Sequence, residues 1–198
     1  MRLQYCNDVS AADWIVHARI PWEQLVNFGP PDFPAYARLR FIPDPTKPGQ
    51  VEGSVDVAED HPSDMQQTQR ALHHLRRFTA TPEACYFCVW EGYGDLNLPP
   101  SVLHGPRVTI QHRRYFLLKG SLTDLDNWEE TFGRVGSFPP AFAWPADHRW
   151  CFASDVDHHW AGIGADRAVI NSLRNTPELD VVPAQPTEPQ PTYYESAV

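Results

Sequence analysis

Trp144-Pro-Ala-Asp-His-Arg-Trp-Cys-Phe-Ala-Ser-Asp-Val-Asp-His-His-Trp160, running on into Ala161-Gly-Ile-Gly164, concentrates aromatic, acidic and imidazole side chains in one short span. The aromatic and apolar part, about Arg149 to Asp155, reads as a strand. His158 to Gly164 reads as a turn, and Ala165 to Arg174 as a helix. Upstream, Ser63 opens an amphipathic helix over 64–78 whose Met65, Thr68, Leu72, Leu75 and Phe78 share a face. Ser121 with Asp124 opens a further helix carrying Leu122, Leu125, Trp128 and Phe132 and ended by Gly133 and Gly136. Strands mixed with such helices predict an α+β domain: a mainly antiparallel sheet of about five strands with helices packed on it.

The remaining strands follow from period-two patterning. Tyr36, Arg38, Arg40 and Ile42 alternate with Ala37, Leu39 and Phe41, so two arginines share one face. Residues 84–91 oppose Cys85, Phe87 and Val89 to Tyr86, Cys88 and Trp90. Arg107 to His112 and Tyr115 to Lys119 read as a hairpin. Near the start, Ser10 with Asp13 has the spacing of a capping box for a short helix, and Pro21 with Gly29 brackets a second. Residues 43–62 read as a surface excursion with at most a weak strand at 51–57, and 92–106 as a loop. The domain is expected over residues 1–182. Residues 183–198, opening Pro183-Ala-Gln-Pro-Thr-Glu-Pro-Gln-Pro-Thr192, have little to bury and are expected to be mobile or draped over a surface.

Composition narrows the function. The 198 residues are 42% hydrophobic and 12% aromatic, enough for one sizeable core. A formal charge of −9 repels phosphate backbones, so no nucleic-acid partner is expected. The basic cluster Arg70, His73, His74, Arg76 and Arg77 falls where a helix would end, and cations suit that end of the dipole. No secretory signal and no apolar run of membrane-spanning length are read, so the expectation is a cytoplasmic protein without a membrane partner. Four cysteines, Cys6, Cys85, Cys88 and Cys151, fit reduced thiols. Cys85 and Cys88 have C-x-x-C spacing, but on a strand they would point to opposite faces.

Asp155 and Asp157 would lie on one side of an extended segment, about 7 Å apart, a spacing that a hard cation bridges. His158 and His159 follow, and one of them would share that side. The simpler reading is a polar strand exit. Arg38 and Arg40 are candidates to bind an acidic ligand or to lock Asp155 and Asp157 as ion pairs. Gly162-Ile-Gly164 before a helix lacks the further glycine or lysine of a phosphate loop and reads as a tight connection. Nucleophile-elbow and zinc-helix motifs are absent. Of the seven tryptophans, Trp90, Trp144, Trp150 and Trp160, with Tyr93, are candidate ligand-binding aromatics should they line a groove.

The segments Phe33-Pro-Ala-Tyr-Ala-Arg38, Thr81-Pro-Glu-Ala-Cys-Tyr-Phe-Cys-Val-Trp-Glu-Gly-Tyr-Gly94, Arg114-Tyr-Phe-Leu-Leu118 and Trp144 to Asp157 resemble, in order, a family of uncharacterised actinobacterial proteins. The family pattern has an aromatic and a Val-Gly-Gly turn where this chain has Ala161-Gly-Ile-Gly164. It implies no activity. The stretch from the closing strand to the helix is similar to the SUKH superfamily of toxin-immunity proteins, α+β domains that bind a toxin. The expectation is a non-enzymatic protein-binding domain, possible immunity type, with no cofactor. The rival is a divalent-metal-assisted enzyme acting on a small or phosphorylated substrate, with Asp155 and Asp157 as ligands, His158 or His159 as ligand or base, and Arg38 and Arg40 as anion clamps. A homo-oligomer stays open.

Overall fold

The computed structural model describes residues 2–94, 96, 98–132 and 138–194. In chain order it comprises β1 (Gln4–Tyr5), α1 (Asp13–Val16), α2 (Trp22–Phe28), β2 (Ala35–Arg40), α3 (Asp64–Leu75), β3 (Cys85–Trp90), α4 (Pro100–Leu103), β4 (Val108–Ile110) and β5 (Arg113–Gly120). Then come α5 (Trp128–Phe132), β6 (Phe142–Pro145), β7 (Trp150–Ala153), β8 (Trp160–Ala165), α6 (Arg167–Arg174) and β9 (Val181–Ala184). The class is α+β, but among the described residues the sheet has nine strands instead of about five. Its order is β1-β5-β3-β6-β7-β8-β2-β9, with β4 beside β1 on the outer edge of β5. Every pairing is antiparallel.

Both faces of this sheet are covered. One face, with Leu39, Phe87, Leu118, Phe152 and Ile163, packs under α3, α5 and α6. The other, with Cys88, Leu117, Phe142 and Trp144, packs under α1 and α2. Cys85 and Cys88 fall on opposite faces, as strand geometry requires. Burial pushes the Cys85 thiol up to about 12 and raises Cys88 and Cys151 as well. All four cysteines are free thiols.

Local signals account for several elements. Ser63 Oγ accepts from Gln66 N at 3.2 Å while Ser63 N donates to Gln66 Oε1 at 2.9 Å, a complete capping box for α3. Ser121 and Asp124 make the same exchange at the 3₁₀ turn that leads into α5. The expected ending of that helix at Gly133 and Gly136 lies outside the described residues. Ser10, by contrast, caps nothing. It is the first residue of a 3₁₀ turn and donates its N–H to Asp8 Oδ1 at 2.9 Å. The weak strand expected at 51–57 is a 3₁₀ turn at Glu52–Ser54.

The four strands beyond the expected five each carry a contrary signal. β8 contains Gly162 and Gly164, which lower strand propensity, so His158 to Gly164 is not one long turn. The glycines sit on the face beneath α2, where a Cβ on Gly162 would stand 2.0 Å from the Asn27 carbonyl oxygen. The absent side chain of Gly162 lets the helix end lie directly on the strand, and that of Gly164 makes room for the rings of Phe33 and Tyr36. β9 contains Pro183, tolerated because the strand is at the sheet edge. β6 ends in Pro145, and β1 has only two residues.

Candidate functional site

β2 presents Arg38 and Arg40 on one face, opposite Gly162 and Trp160 of β8. Their carboxylate partners are Asp44 and Asp180, not Asp155 and Asp157, which one of the two readings of the sequence pairs with them. The chain leaving β2 folds back to place Asp44 between both arginines, and β9 pairing brings Asp180 alongside Arg40. Arg38 grips Asp44 with two hydrogen bonds, at 2.6 and 3.0 Å. Arg40 adds one at 3.1 Å and bonds Asp180 at 2.7 Å. The fifth member, His159, meets Asp44 through Nε2 at 3.1 Å.

Burial alone would raise the pKa of Asp44. Hydrogen bonds from Arg38, His159 and Arg40 and the Arg38 charge outweigh it and hold the carboxyl well below the usual range. For His159, burial is the largest effect and lowers the pKa, with Asp44 opposing it. Both arginines are thus occupied inside the fold and leave no guanidinium to clamp a ligand. The network is a lock between β2, β8, β9 and the chain after β2.

The turn between β7 and β8 separates the residues grouped in the sequence. Asp155 is held by Arg113, both contacts at 3.1 Å, and only 10% of its side chain is exposed. Arg113 itself lies between the rings of Trp90 (5.1 Å) and Trp22 (5.6 Å). Asp157 is exposed at the turn tip, so the two carboxylates do not share an extended face. His158 packs edge-on to Trp160, with its Nδ1 buried and without a protein partner, and burial lowers its pKa. Among the described residues no three His, Cys, Asp or Glu side chains gather as a metal site would need. Of the donors assigned to the metal reading, Asp155 goes to Arg113, His159 to Asp44, Asp157 to solvent, and His158 packs on Trp160.

Trp144 and Trp150 are fully enclosed and offer nothing to a ligand; Trp144 lies stacked near Tyr86 and edge-on to Trp14. Tyr93 stacks on Phe138 at 3.9 Å and borders a shallow cleft of about 420 Å³ with Phe41, Asp64, Asp155 and His158. Trp160 is buried, with its indole N–H donating to the Pro191 carbonyl at 3.3 Å. That bond fastens the chain beyond β9. The Tyr193 hydroxyl donates to the Pro43 carbonyl, its ring stands edge-on to His159, and Tyr194 N donates to Gln50 O at 2.8 Å. Residues 185–194 therefore lie along the surface as a strap.

Between this strap, α2 and α6 runs a groove with two compartments. The first, about 480 Å³, has Phe33, Tyr36, Ile170 and Pro186 on its apolar walls and Arg167, Asn171 and Arg174 along one side. The second, about 580 Å³, has Trp22, Phe28, His158, Trp160, Glu23 and Glu188. Gln24, Pro186 and Thr187 line both. Arg167, Asn171 and Arg174 recur along α6 at helical spacing, on the rim away from buried Val169 and Leu173. Neither Arg167 nor Arg174 has a carboxylate partner among the described residues. At the floor, the Tyr36 hydroxyl donates to Pro30 O at 2.6 Å, and burial pushes its pKa up to about 12.

No family model, no curated protein and no solved structure matches the chain. The groove's chemistry must therefore be read from its own residues.

Of the residues singled out in the sequence, the groove takes in Trp160, Asp155 and His158. Arg38, Arg40 and His159 form the internal lock, while Trp90 and Tyr93 lie on the far side of Arg113. Sequence reasoning missed Gln24, Phe33, Tyr36, Arg167, Asn171 and Arg174 as a group. One available signal was the pair of arginines seven residues apart on the outer side of an amphipathic helix. What they face depends on where β9 and the strap run.

Proposed function

We propose that this is a non-enzymatic binding protein that takes an extended segment of a partner polypeptide into the groove between α2, α6 and the strap. The observation that carries this reading is that two adjoining compartments share Gln24, Pro186 and Thr187 as lining residues, so that together they offer apolar walls with polar groups along the rim. The groups that would serve a reaction favour it too. Asp155, His159, Arg38 and Arg40 are spent on internal partners, and Asp157 is exposed.

The test is selection of decapeptides from a displayed random library on the native protein, followed by titration against Asn171→Trp, which fills the first compartment. Enriched peptides should bind the native protein and lose at least about tenfold in affinity to the variant, a loss of about 1.4 kcal/mol. No enrichment, or binders indifferent to Asn171→Trp, would overturn the reading.

A further inference from the structure

The first compartment has an electrostatic character opposite to that of the whole molecule. The chain carries a net charge of −9, yet this compartment is lined by two arginines and no carboxylate. Arg38, Arg40, Arg107, Arg113 and Arg149 are each matched to an Asp or Glu, whereas Arg19, Arg70 and Arg77, outside this compartment, are not matched among the described residues. Arg167 and Arg174 are also unmatched, and they line the compartment together with Phe33, Tyr36 and Pro186. A planar guanidinium beside apolar surface is suited to receive a carboxylate in two-pronged geometry.

Spacing adds a second constraint. Residues seven apart on a helix are separated by about 10 Å along its axis. In a polyproline II segment, side chains three residues apart return to the same side after about 9 Å. Aromatic and proline walls are also the surface on which such a preformed segment docks at a reduced ordering cost. At the other end, Glu23 and Glu188 border the second compartment and disfavour an anion there.

Resting on the peptide-binding reading above, we infer that the groove selects an acidic segment of the form acidic-x-x-acidic in polyproline II conformation. Arg167 and Arg174 each receive one carboxylate, and an intervening proline or apolar side chain lies on Phe33 and Tyr36. The flank of the segment that enters the second compartment is neutral or basic.

The probes are three fluorescein-labelled proline-rich nonapeptides that differ only at two positions three apart, carrying Glu, Gln or Lys there, titrated by fluorescence anisotropy. The Glu peptide should bind at least about tenfold more tightly than the Gln peptide. The Lys peptide should bind more weakly still, and added salt should narrow the differences. In Arg167→Gln/Arg174→Gln, whose altered side chains are exposed, the Glu and Gln peptides should bind alike with the circular dichroism spectrum unchanged. Equal binding of all three peptides to the native protein, lost in Asn171→Trp, would overturn the acidic selection and leave the groove reading standing. If none of the peptides binds, the library yields no binder, and benzoate alone shifts groove resonances, both fall and the site is one for a small anion. Preference for the Glu peptide that persists in the double variant would overturn the assignment to these two arginines.

Discussion

Arg38 and Asp44 face each other as a two-pronged ion pair, 2.6 and 3.0 Å, with only 7% of the arginine side chain exposed. Because Arg40 and His159 converge on the same carboxylate, its removal leaves buried positive charge without its main partner. Asp44→Asn should therefore lower the unfolding free energy by about 3 kcal/mol, read as a shifted midpoint in urea.

Acid should act through the same carboxyl. Its folded pKa is depressed, so its stabilisation is complete above the unfolded carboxyl value, near pH 4, and falls away as pH drops from there toward the folded value. In that range the unfolded chain takes up the proton first. Urea midpoints collected downward from pH 5 should fall more steeply for the native protein than for Asp44→Asn, and equal slopes would remove Asp44 from this role.

This lock was half legible. Alternation in residues 35–42 placed Arg38 and Arg40 on one face, and a carboxylate lock was among the readings, because a strand's side-chain direction is a local property. Which carboxylate answers them is not local. Asp44 arrives through the fold-back after β2 and Asp180 through β9, a strand masked by Pro183. The capping boxes at Ser63 and Ser121 were readable for the same reason that β2 was: all their atoms lie within a few residues.

β8 shows the opposite case. Gly162 reads as a turn former until the Asn27 carbonyl is placed above it, and that contact belongs to tertiary packing. Gly162→Ala forces α2 off the sheet and should cost about 1–3 kcal/mol. Gly94→Ala, where an added Cβ meets nothing within 4 Å, should change stability little. A thermal melt comparing the two variants checks the pair.

His158 should also set part of the response to mild acid. Its folded pKa is lowered by burial, so the fold prefers the neutral ring. The unfolded chain binds the proton first as pH falls below about 6.5, and stability declines from there toward the folded value. Stability measured from pH 7 to pH 5 should fall less in His158→Gln than in the native protein. NMR titration should place the His158 ring below the ordinary histidine value; an unshifted ring would contradict its burial in the groove wall.

Thiol chemistry reports on the two-sided core. Cys85, Cys88 and Cys151 are buried and their thiols are held in the protonated form, whereas Cys6 is half-buried. An aromatic disulfide reagent should label Cys6 first in the native protein and the other three only on unfolding. Fast labelling of Cys88 would mean that the face under α1 and α2 opens.

The groove itself is tested most directly by two-dimensional NMR of the labelled protein with a library-selected peptide. Amide shifts should concentrate at Gln24, Phe33, Asn171, Arg174 and Thr187, which surround the two compartments. Shifts centred instead on Arg70, His73 and Arg77, or on the β4 edge, with the α6 rim unmoved, would contradict the account.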